Sequence, residues 1–260
     1  MQKEEIKFQD STVFEGMTSI RAILSSTDSK VNERRIIKIL YDKEKYQKNA
    51  KNLSYLKAVS TKYGFLLEEA TESDLEKLTL GTSHGGIIAI ANERKIPELT
   101  RDTELEEKGF YALIQGIEDP YNFGYALRSL YAMGVSGIIL PERNWMSAAG
   151  VVCRSSAGAS EMFKMYITKD AAEAVDIFKN KKYSVVCADE RTDNILGEVS
   201  LPLPILLIVG GEKRGISRSV LKKSDKLVKI DYAREFAASL SAASATTMFA
   251  YEIMRQNSIK

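Results

Sequence analysis

Short, nearly continuous apolar runs alternate with helical patterns through the second half of the chain. The apolar runs predict strands at FYALIQGI, GIILP, MFKMYI, YSVVCAD, PILLIVGG and KLVKI. Helices are expected near residues 122–133, 146–154, 169–180, 216–223 and 237–256. Apolar strands that alternate with helices are typical of a parallel sheet covered on both faces. The pattern therefore predicts an α/β fold whose sheet is mostly parallel, with helices on both faces.

The first part of the chain predicts a smaller α/β unit. An amphipathic helix begins at Gly16, and strands are expected at RIIKILYD, GFLLEEA and GIIAIANE. Helical spacing continues from Glu44 to Tyr63, and Thr71 with Asp74 resembles an N-cap that opens the helix ESDLEKLTL. The next stretch, KIPELTRDTELEEKG, has the composition of a linker. We therefore predict a domain at 1–97, a linker at 98–108 and a second domain at 109–260.

The composition is that of a soluble globular protein of 260 residues, with 44% hydrophobic and 28% charged residues. No apolar run approaches the ~20 residues that span a bilayer, and MQKEEIKFQD at the N-terminus has no apolar signal-peptide region. No membrane association and a cytoplasmic location are expected. The net charge is only +2, so bulk charge does not favour a nucleic-acid partner.

Two cysteines and one histidine limit the chemistry that the chain can carry. Cys153 and Cys187 cannot supply a Cys/His zinc cluster, a CxxC redox pair or a disulfide framework, and we expect both to be small buried residues. No metal site is predicted. His84 is the one residue available for acid–base catalysis by histidine.

The stretch DPYNFGYALRS, residues 119–129, lies between a predicted strand and a predicted helix. A dinucleotide-binding protein carries the glycine-rich fingerprint G-x-G-x-x-G at such a junction, and this chain lacks it. A dinucleotide oxidoreductase is therefore set aside. Asn122 is expected to be the N-cap of the helix, and Arg128 is expected to face out of it.

Three further stretches combine small residues with polar ones. In RSSAGAS, residues 154–160, the small residues permit tight packing, or else form a pocket wall beside an RNA contact from Arg154. In IVGGEKRGIS, residues 208–217, the glycines follow a buried strand, where open α/β sheets bind ligands. The helix FAASLSAASATTMFAYE, residues 236–252, can pack closely against a neighbour or a second subunit, and it leaves room for a ligand at its start.

In this order, the four stretches resemble the SpoU (TrmH-like) family of RNA ribose 2′-O-methyltransferases. DPYNFGYALRSLYAMGVSGIIL is similar to the first family motif, IVGGEKRGIS to the second and KIDYAREFAASLSAASATTMFAYE to the third, with RSSAGAS between them. The resemblance covers roughly residues 110–256. FEGMTSIRAIL and GTSHGGIIAI resemble the family's substrate-binding domain, which is similar to a ribosomal-protein RNA-binding fold. For His84 this implies domain packing or an RNA-facing position.

The resemblance implies a trefoil-knotted C-terminal domain, S-adenosylmethionine as the cofactor, and a homodimer with its sites at the interface. It implies catalytic roles for Asn122, Arg128, Glu212 and Ser239. It implies cofactor contacts from Gly210, Gly211, Ile230, Leu240 and Ser241, and an RNA contact from Arg154. Two departures stand out: Ile230-Asp231-Tyr232 replaces the family's Ile-Pro-Met, and Ser239-Leu240-Ser241 replaces Ser-Leu-Asn.

The implied reaction is transfer of a methyl group from the cofactor to a ribose 2′-OH without a metal. We expect Arg128 to stabilise the developing alkoxide and to grip an adjacent phosphate through its planar fork. Ribosomal RNA is the favoured substrate, and transfer RNA remains an alternative. Because Asp231 and Ser241 depart from the motif, a non-catalytic RNA-binding or ribosome-assembly factor that kept the fold is the alternative of another class.

Overall fold

The computed structural model describes residues 12–79, 84–117, 119–142, 144–236 and 238–258. The chain forms two compact units, one of Met1–Lys95 with Trp145–Met162 and one of Ile96–Asn144 with Phe163–Lys260. The N-terminal MQKEEIKFQD and the start of GTSHGGIIAI lie outside the described residues. Within the described ranges, no helix is both long enough and apolar enough to cross a membrane.

The first unit contains a four-stranded sheet with the strand order β1-β4-β2-β3. Its strands are β1 (Val13–Glu15), β2 (Ile36–Asp42), β3 (Leu66–Ala70) and β4 (Ile87–Ala91), and its longer helices are α1 (Gly16–Ser29), α2 (Tyr46–Tyr63) and α3 (Glu72–Leu78). Strand β4 is antiparallel to both β1 and β2, whereas β3 is parallel to β2. Leu40, Leu75 and Ile88 are part of an apolar cluster beneath this sheet.

Local sequence signals account for much of this unit. The Thr71 side chain accepts from the Asp74 amide, and Asp74 accepts in return from the Thr71 amide, so the predicted cap of α3 is confirmed as a capping box. Strand β1 was not predicted, because three residues are too few to show an alternating pattern. Its pairing with β4, in the register Val13↔Ile90, defines it as a strand.

Residues 145–162 belong to the first unit, although the sequence places them within the second domain. They form a 3₁₀ turn (Trp145–Ala148), helix α5 (Ala149–Ser155) and a second 3₁₀ turn (Ala159–Met162). A Cβ on Gly150 would lie 2.2 Å from the carbonyl oxygen of Val13, and one on Gly158 would lie 2.5 Å from the Cβ of Ala22. Of the two interpretations of RSSAGAS, the structure therefore shows tight packing.

The second unit contains a six-stranded sheet in which all neighbouring strands are parallel, in the order β10-β8-β9-β5-β6-β7. Its strands are β5 (Phe110–Gln115), β6 (Gly137–Pro141), β7 (Lys164–Thr168), β8 (Ser184–Ala188), β9 (Ile205–Gly210) and β10 (Lys226–Val228). Its helices are α4 (Pro120–Ala132), α6 (Ala171–Asn180), α7 (Arg218–Lys223) and α8 (Ala242–Asn257). Each of the six predicted apolar runs corresponds to one strand, so the predicted α/β fold is confirmed; the knot stays a prediction.

Helix α4 begins earlier than predicted, and Asn122 is not its N-cap. Asp119 is the N-cap: its carboxylate accepts from the Asn122 amide at 2.7 Å, and Pro120 occupies the first helical position. Proline suits that position because its fixed φ is helical and its missing N–H would have no helical partner. This makes Asn122 the third helical residue, which leaves its side-chain amide available for another contact.

The segment predicted as a linker, 98–108, lies along the edge of the second unit's sheet. The Leu99 amide donates to the carbonyl of Ile167 in β7 at 2.8 Å, and the Leu99 side chain is buried. The Tyr183 hydroxyl donates to the carbonyl of Glu106. The polar composition of the segment did not predict these contacts with the sheet. One apolar side chain and backbone hydrogen bonds are enough to hold the segment in place.

Candidate functional site

A cavity of about 790 Å³ lies in the second unit at the carboxyl ends of strands β8, β9 and β10. Ligands bind at this edge of open parallel sheets, because the loops after the strands converge there. Six of the predicted site residues line the cavity: Gly210, Gly211, Glu212, Ile230, Ser239 and Leu240. The second and third sequence motifs therefore form one site.

The two glycines after β9 permit an unusually close approach of backbone segments. A Cβ on Gly211 would lie 1.7 Å from the carbonyl oxygen of Gly116, and one on Gly210 would lie 2.5 Å from the carbonyl carbon of Gly215. The Gly211 amide donates to the carbonyl of Gln115 at 2.7 Å. Only glycine fits at these positions, so the cavity has backbone rather than side chains along this wall.

Glu212 connects the three motifs. Its Oε1 accepts from the side-chain amide of Asn122 at 3.4 Å and from the backbone amide of Ala242 at 3.2 Å. Ala242 is the first residue of α8, so the carboxylate lies at a helix N-terminus, where the helix dipole favours negative charge. The contact thus brings the start of α4, the turn after β9 and the start of α8 to one point.

The loop between β10 and α8 forms another wall of the cavity. The Tyr232 hydroxyl accepts from the Leu240 amide at 3.1 Å, and the Tyr232 and Phe236 rings lie 6.3 Å apart. Both contacts are formed by residues that precede the helix, and α8 starts at Ala242 rather than near 237 as predicted. Tyr232, which replaces the family methionine, therefore orders this loop.

Ser241, which replaces the family asparagine, is the N-cap of α8. Its hydroxyl accepts from the Ser244 amide at 3.1 Å. Serine and asparagine are comparable N-caps, so this substitution retains the helix start. Ser241 is not among the residues that line the cavity, and its contact with the cofactor stays a prediction.

Arg128 and Arg154 do not line the cavity. Arg128 is exposed on α4 and forms no hydrogen bond or ion pair with any residue in the described part of its own chain. Arg154 belongs to the first unit, where its Nη1 lies 2.7 Å from Oε2 of Glu15. The RNA contact of Arg154 stays a prediction, and the ion pair supplies a structural role.

The histidine and the cysteines lie away from this site. His84 is buried in the first unit, and its Nδ1 accepts from the Gly86 amide at 3.1 Å. Burial raises the pKa of the Cys153 and Cys187 thiols to about 12, so neither is a thiolate at neutral pH. Among the described residues, no group of His, Cys, Asp and Glu side chains could hold a metal ion.

Gln115 is a site residue that the sequence did not single out. It ends strand β5, and its side-chain oxygen accepts from the Ser217 amide at 3.1 Å while its carbonyl accepts from Gly211. One residue thereby holds both ends of the loop that contains Glu212. A polar residue that ends an otherwise apolar strand, FYALIQ, was the signal available in the sequence.

Basic side chains surround the cavity as well. Arg191, Lys213, Arg214, Lys229 and Arg234 are among its lining residues. Arg191 is paired with Asp189, whose carboxylate it approaches to 2.7 Å. Five acidic side chains line the cavity too: Asp189, Glu190, Glu212, Asp231 and Glu235. The lining therefore carries charges of both signs in equal number.

Comparisons with known proteins agree on one family. The model of the SpoU rRNA methylase family matches residues 109–251. The 23S rRNA (guanosine-2′-O-)-methyltransferase RlmB of Shewanella oneidensis is 26% identical and covers 98% of this chain and 99% of its own. YacO of Bacillus subtilis, whose name places it in the TrmH family of tRNA/rRNA methyltransferases, is 26% identical and covers 76% of this chain and 80% of its own.

A similar fold occurs in a solved structure. The SpoU methyltransferase AviRb of Streptomyces viridochromogenes, in complex with the cofactor AdoMet, superposes with a TM-score of 0.75. It is 20% identical, and the match covers 97% of both chains. At this identity the likeness concerns the fold. Together the comparisons confirm the family resemblance and the fold class that the sequence predicted.

Proposed function

Since the chain belongs to the SpoU rRNA methylase family, we propose that it transfers a methyl group from S-adenosylmethionine to a ribose 2′-OH of RNA. The observation that carries this proposal is the convergence of the three motifs at Glu212, beside a cavity with a glycine wall. The chain is thus an S-adenosylmethionine-dependent RNA methyltransferase.

The cavity fits this cofactor in volume and in the character of its walls. Ligand pockets commonly measure about 300–1,000 Å³, and this cavity measures about 790 Å³. Gly210 and Gly211 let backbone segments close one wall of the cavity without side chains, and Ile230 and Leu240 add apolar surface. These four residues would hold the cofactor. When bound, S-adenosylmethionine supplies a methyl group activated by a positively charged sulfur.

The protein's own residues have to orient the ribose and handle the proton of its 2′-OH. The guanidinium of Arg128 offers five N–H donors in a planar fork and no acceptor. It therefore serves as a donor rather than a base: its N–H groups stabilise the negative charge that develops on O2′ as the proton passes to solvent water. Asn122 and Glu212 maintain the helix starts between which the ribose has to enter.

The working form that we propose is a homodimer, because Arg128 does not line the cavity of its own chain. Exposed apolar side chains cover α4 and α8: Tyr121, Tyr125, Tyr131, Met248 and Tyr251. The two helices pack together, and the Thr247 hydroxyl donates to Ser129 at 2.6 Å. Exposed apolar side chains grouped on two packed helices favour an interface. A second copy seated on it would bring Arg128 to the partner's cavity.

Mixing two inactive variants tests this arrangement. Arg128→Ala removes the donor, and Leu240→Trp fills the cavity. In a mixed dimer, the intact cavity of the first variant faces the intact Arg128 of the second, so methyl transfer should partly recover. Neither variant should be active alone, and Arg128→Lys should stay inactive because an ammonium lacks the planar fork. No recovery in mixed dimers that light scattering shows to have formed would contradict the shared site.

The substrate that we propose is ribosomal RNA, because RlmB, a 23S rRNA methyltransferase, matches this chain over nearly its full length. Transfer RNA is the second candidate, since YacO is named for both RNA classes. Mapping 2′-O-methyl sites in ribosomal and transfer RNA from cells with and without the gene distinguishes them. Loss of a site only from transfer RNA would contradict the proposal for ribosomal RNA.

The alternative to an enzyme is a non-catalytic RNA-binding factor that has the same fold. Its support was the departure at Asp231 and Ser241, and the N-cap role of Ser241 weakens that support. Calorimetry with S-adenosylmethionine separates the two functions. An enzyme should bind the cofactor, whereas absence of any heat at millimolar ligand would favour the non-catalytic factor.

A further inference from the structure

Helix α2 of the first unit carries positive charge only. Its 18 residues, Tyr46–Tyr63, include Lys48, Lys51, Lys57 and Lys62 and no aspartate or glutamate. The chain as a whole holds 37 basic and 35 acidic residues, so this segment departs strongly from its average. Natural surfaces usually intersperse charges of both signs, and a one-sign helix points to an anionic partner.

The charges are concentrated on one edge of the helix. Lys48, Lys51 and Tyr55 are exposed and follow the spacing i, i+3, i+7, which places them along one side. Leu53 and Leu56 are buried on the side that packs into the unit. From the neighbouring helix α1, the guanidinium carbon of Arg21 lies 5.7 Å from the centre of the Tyr55 ring. We call Arg21, Lys48, Lys51 and Tyr55 the lysine face.

The protein itself does not neutralise the lysine face. Lys48 and Lys51 form no ion pair or hydrogen bond with any other described residue. Lys62, further along the helix, differs because its Nζ lies 3.0 Å from Oδ1 of Asp28. Lys57 lies on another side of the helix, where its Nζ is 5.5 Å from the centre of the Tyr46 ring. Of the four lysines of the helix, the two that have neither an ion pair nor an aromatic contact, Lys48 and Lys51, therefore lie on one edge.

We propose that the lysine face binds the phosphate backbone of the RNA substrate; which RNA arrives there rests on the proposed function. An ammonium group is a compact point charge, which suits phosphate contacts that position an RNA without reading its sequence. The exposed ring of Tyr55, with Arg21 over it, offers a surface on which an unpaired base can stack. A membrane surface is the weaker partner, because the apolar residues Leu53 and Leu56 are buried and cannot insert into lipid.

The test measures how strongly RNA binding depends on salt. The full-length protein and its Lys48→Gln/Lys51→Gln variant are titrated against a fluorescein-labelled RNA hairpin over a series of salt concentrations. Each lost phosphate contact lowers the slope of log K against log salt by about 0.7–0.9. If binding is equal at 1 M salt, two lost contacts weaken it by roughly 15- to 30-fold at 0.15 M. Exposed Lys→Gln changes should leave the thermal unfolding temperature nearly unchanged.

The matched controls lie on the same helix. Lys57→Gln also removes one positive charge, but from a side chain outside the lysine face. We therefore expect Lys57→Gln to bind the hairpin as the wild type does, and Lys48→Gln and Lys51→Gln each to bind it more weakly. Equal losses in all three single variants would overturn the proposal, as would an unchanged salt slope in the double variant. Binding to phosphatidylserine vesicles that the double variant loses, with hairpin binding unchanged, would assign the face to a membrane instead.

Two further readouts separate this proposal from the proposed function. The double variant should bind S-adenosylmethionine as the wild type does, and it should raise KM for RNA while retaining kcat at saturating RNA. A reduced kcat with unchanged KM would contradict a docking role. If the wild type binds no cofactor, the proposed function fails, and the hairpin titration still decides whether the lysine face binds RNA.

Discussion

The substitution Gly211→Ala tests the glycine wall of the cavity. The added Cβ would lie 1.7 Å from the carbonyl oxygen of Gly116 and 2.3 Å from its carbonyl carbon. Both atoms belong to the backbone, so no side chain can rotate away to make room. Strand β9 and the end of β5 must separate for the methyl group to fit.

The size of the effect follows from these distances. Ordinary van der Waals contact begins at 3.4 Å, twice the 1.7 Å that the alanine would impose, so the segments must part by a further 1.7 Å. That movement breaks the hydrogen bond from the Gly211 amide to the Gln115 carbonyl, now 2.7 Å long. Overpacking costs about 1–3 kcal/mol and the lost bond about 0.5–1.5 kcal/mol. We expect the free energy of unfolding to fall by about 2–4 kcal/mol.

Thermal unfolding and calorimetry with S-adenosylmethionine measure the two consequences. Gly211→Ala should unfold several degrees below the wild type and should lose cofactor binding, because the wall of the cavity moves. Gly197→Ala is the matched control: Gly197 has a φ of +99°, and a Cβ there meets no atom within 4 Å. It should be mildly destabilised with cofactor affinity retained. Suppose that Gly211→Ala unfolds at the same temperature as Gly197→Ala and binds the cofactor normally. The close approach of Gly211 to the Gly116 carbonyl is then not required for stability or binding, and the reasoning is wrong.

Three other predictions concern groups outside the cavity. Glu161→Gln removes the negative charge that lies 3.0 Å from the buried guanidinium of Arg34, so urea unfolding should show a loss of about 3–5 kcal/mol; a loss below ~1 kcal/mol would contradict the burial of the pair. The Arg255 guanidinium beside Glu252 lowers the pKa of that carboxyl below 4.5, so its stabilisation is present above pH 4.5 and is lost as pH falls through the lowered value. Glu252→Gln should therefore be less stable than wild type at pH 7 by ~1–2 kcal/mol and equal to it once the Glu252 carboxyl is protonated in both the folded and the unfolded state; a difference that persists in acid would refute the pairing. Cys153 and Cys187, with pKa values raised to about 12 by burial, should react with Ellman's reagent at pH 8 only after denaturation; rapid reaction of the folded protein would show that they are accessible.

The strands of the second unit could be predicted because each has its own local pattern. The run PILLIVGG is apolar throughout, and β9 within it is buried from Ile205 to Val209. The capping box at Thr71 was equally local. The predicted start of α4 at Asn122 was wrong. Asp119 followed by Pro120 makes a better helix start than Asn122, and the helix begins there. Local signals thus predict an element reliably and its first residue less so.

The pattern of apolar and polar residues did not predict contacts between residues that are far apart in the sequence. Asn122 and Glu212 were both named as site residues, but they are 90 positions apart, and the amide of Ala242 as a third partner was not foreseen. Residues 145–162 belong to the first unit, where Glu161 pairs with Arg34, 127 positions away. Neither pair can be predicted from a short stretch of sequence, because its two residues never occur in the same stretch.

The sequence by itself determined the alternation of strands and helices, the α/β class and the motifs that place the chain in its family. Each of these depends on residue type and spacing over a few turns, where periodicity, caps and glycine freedom act. The tertiary structure alone decided the strand order, the grouping of residues 145–162 with the first unit, and the separation of Arg128 from the cavity of its own chain. These depend on how closely backbones far apart in sequence can approach, and that distance is set by packing in three dimensions.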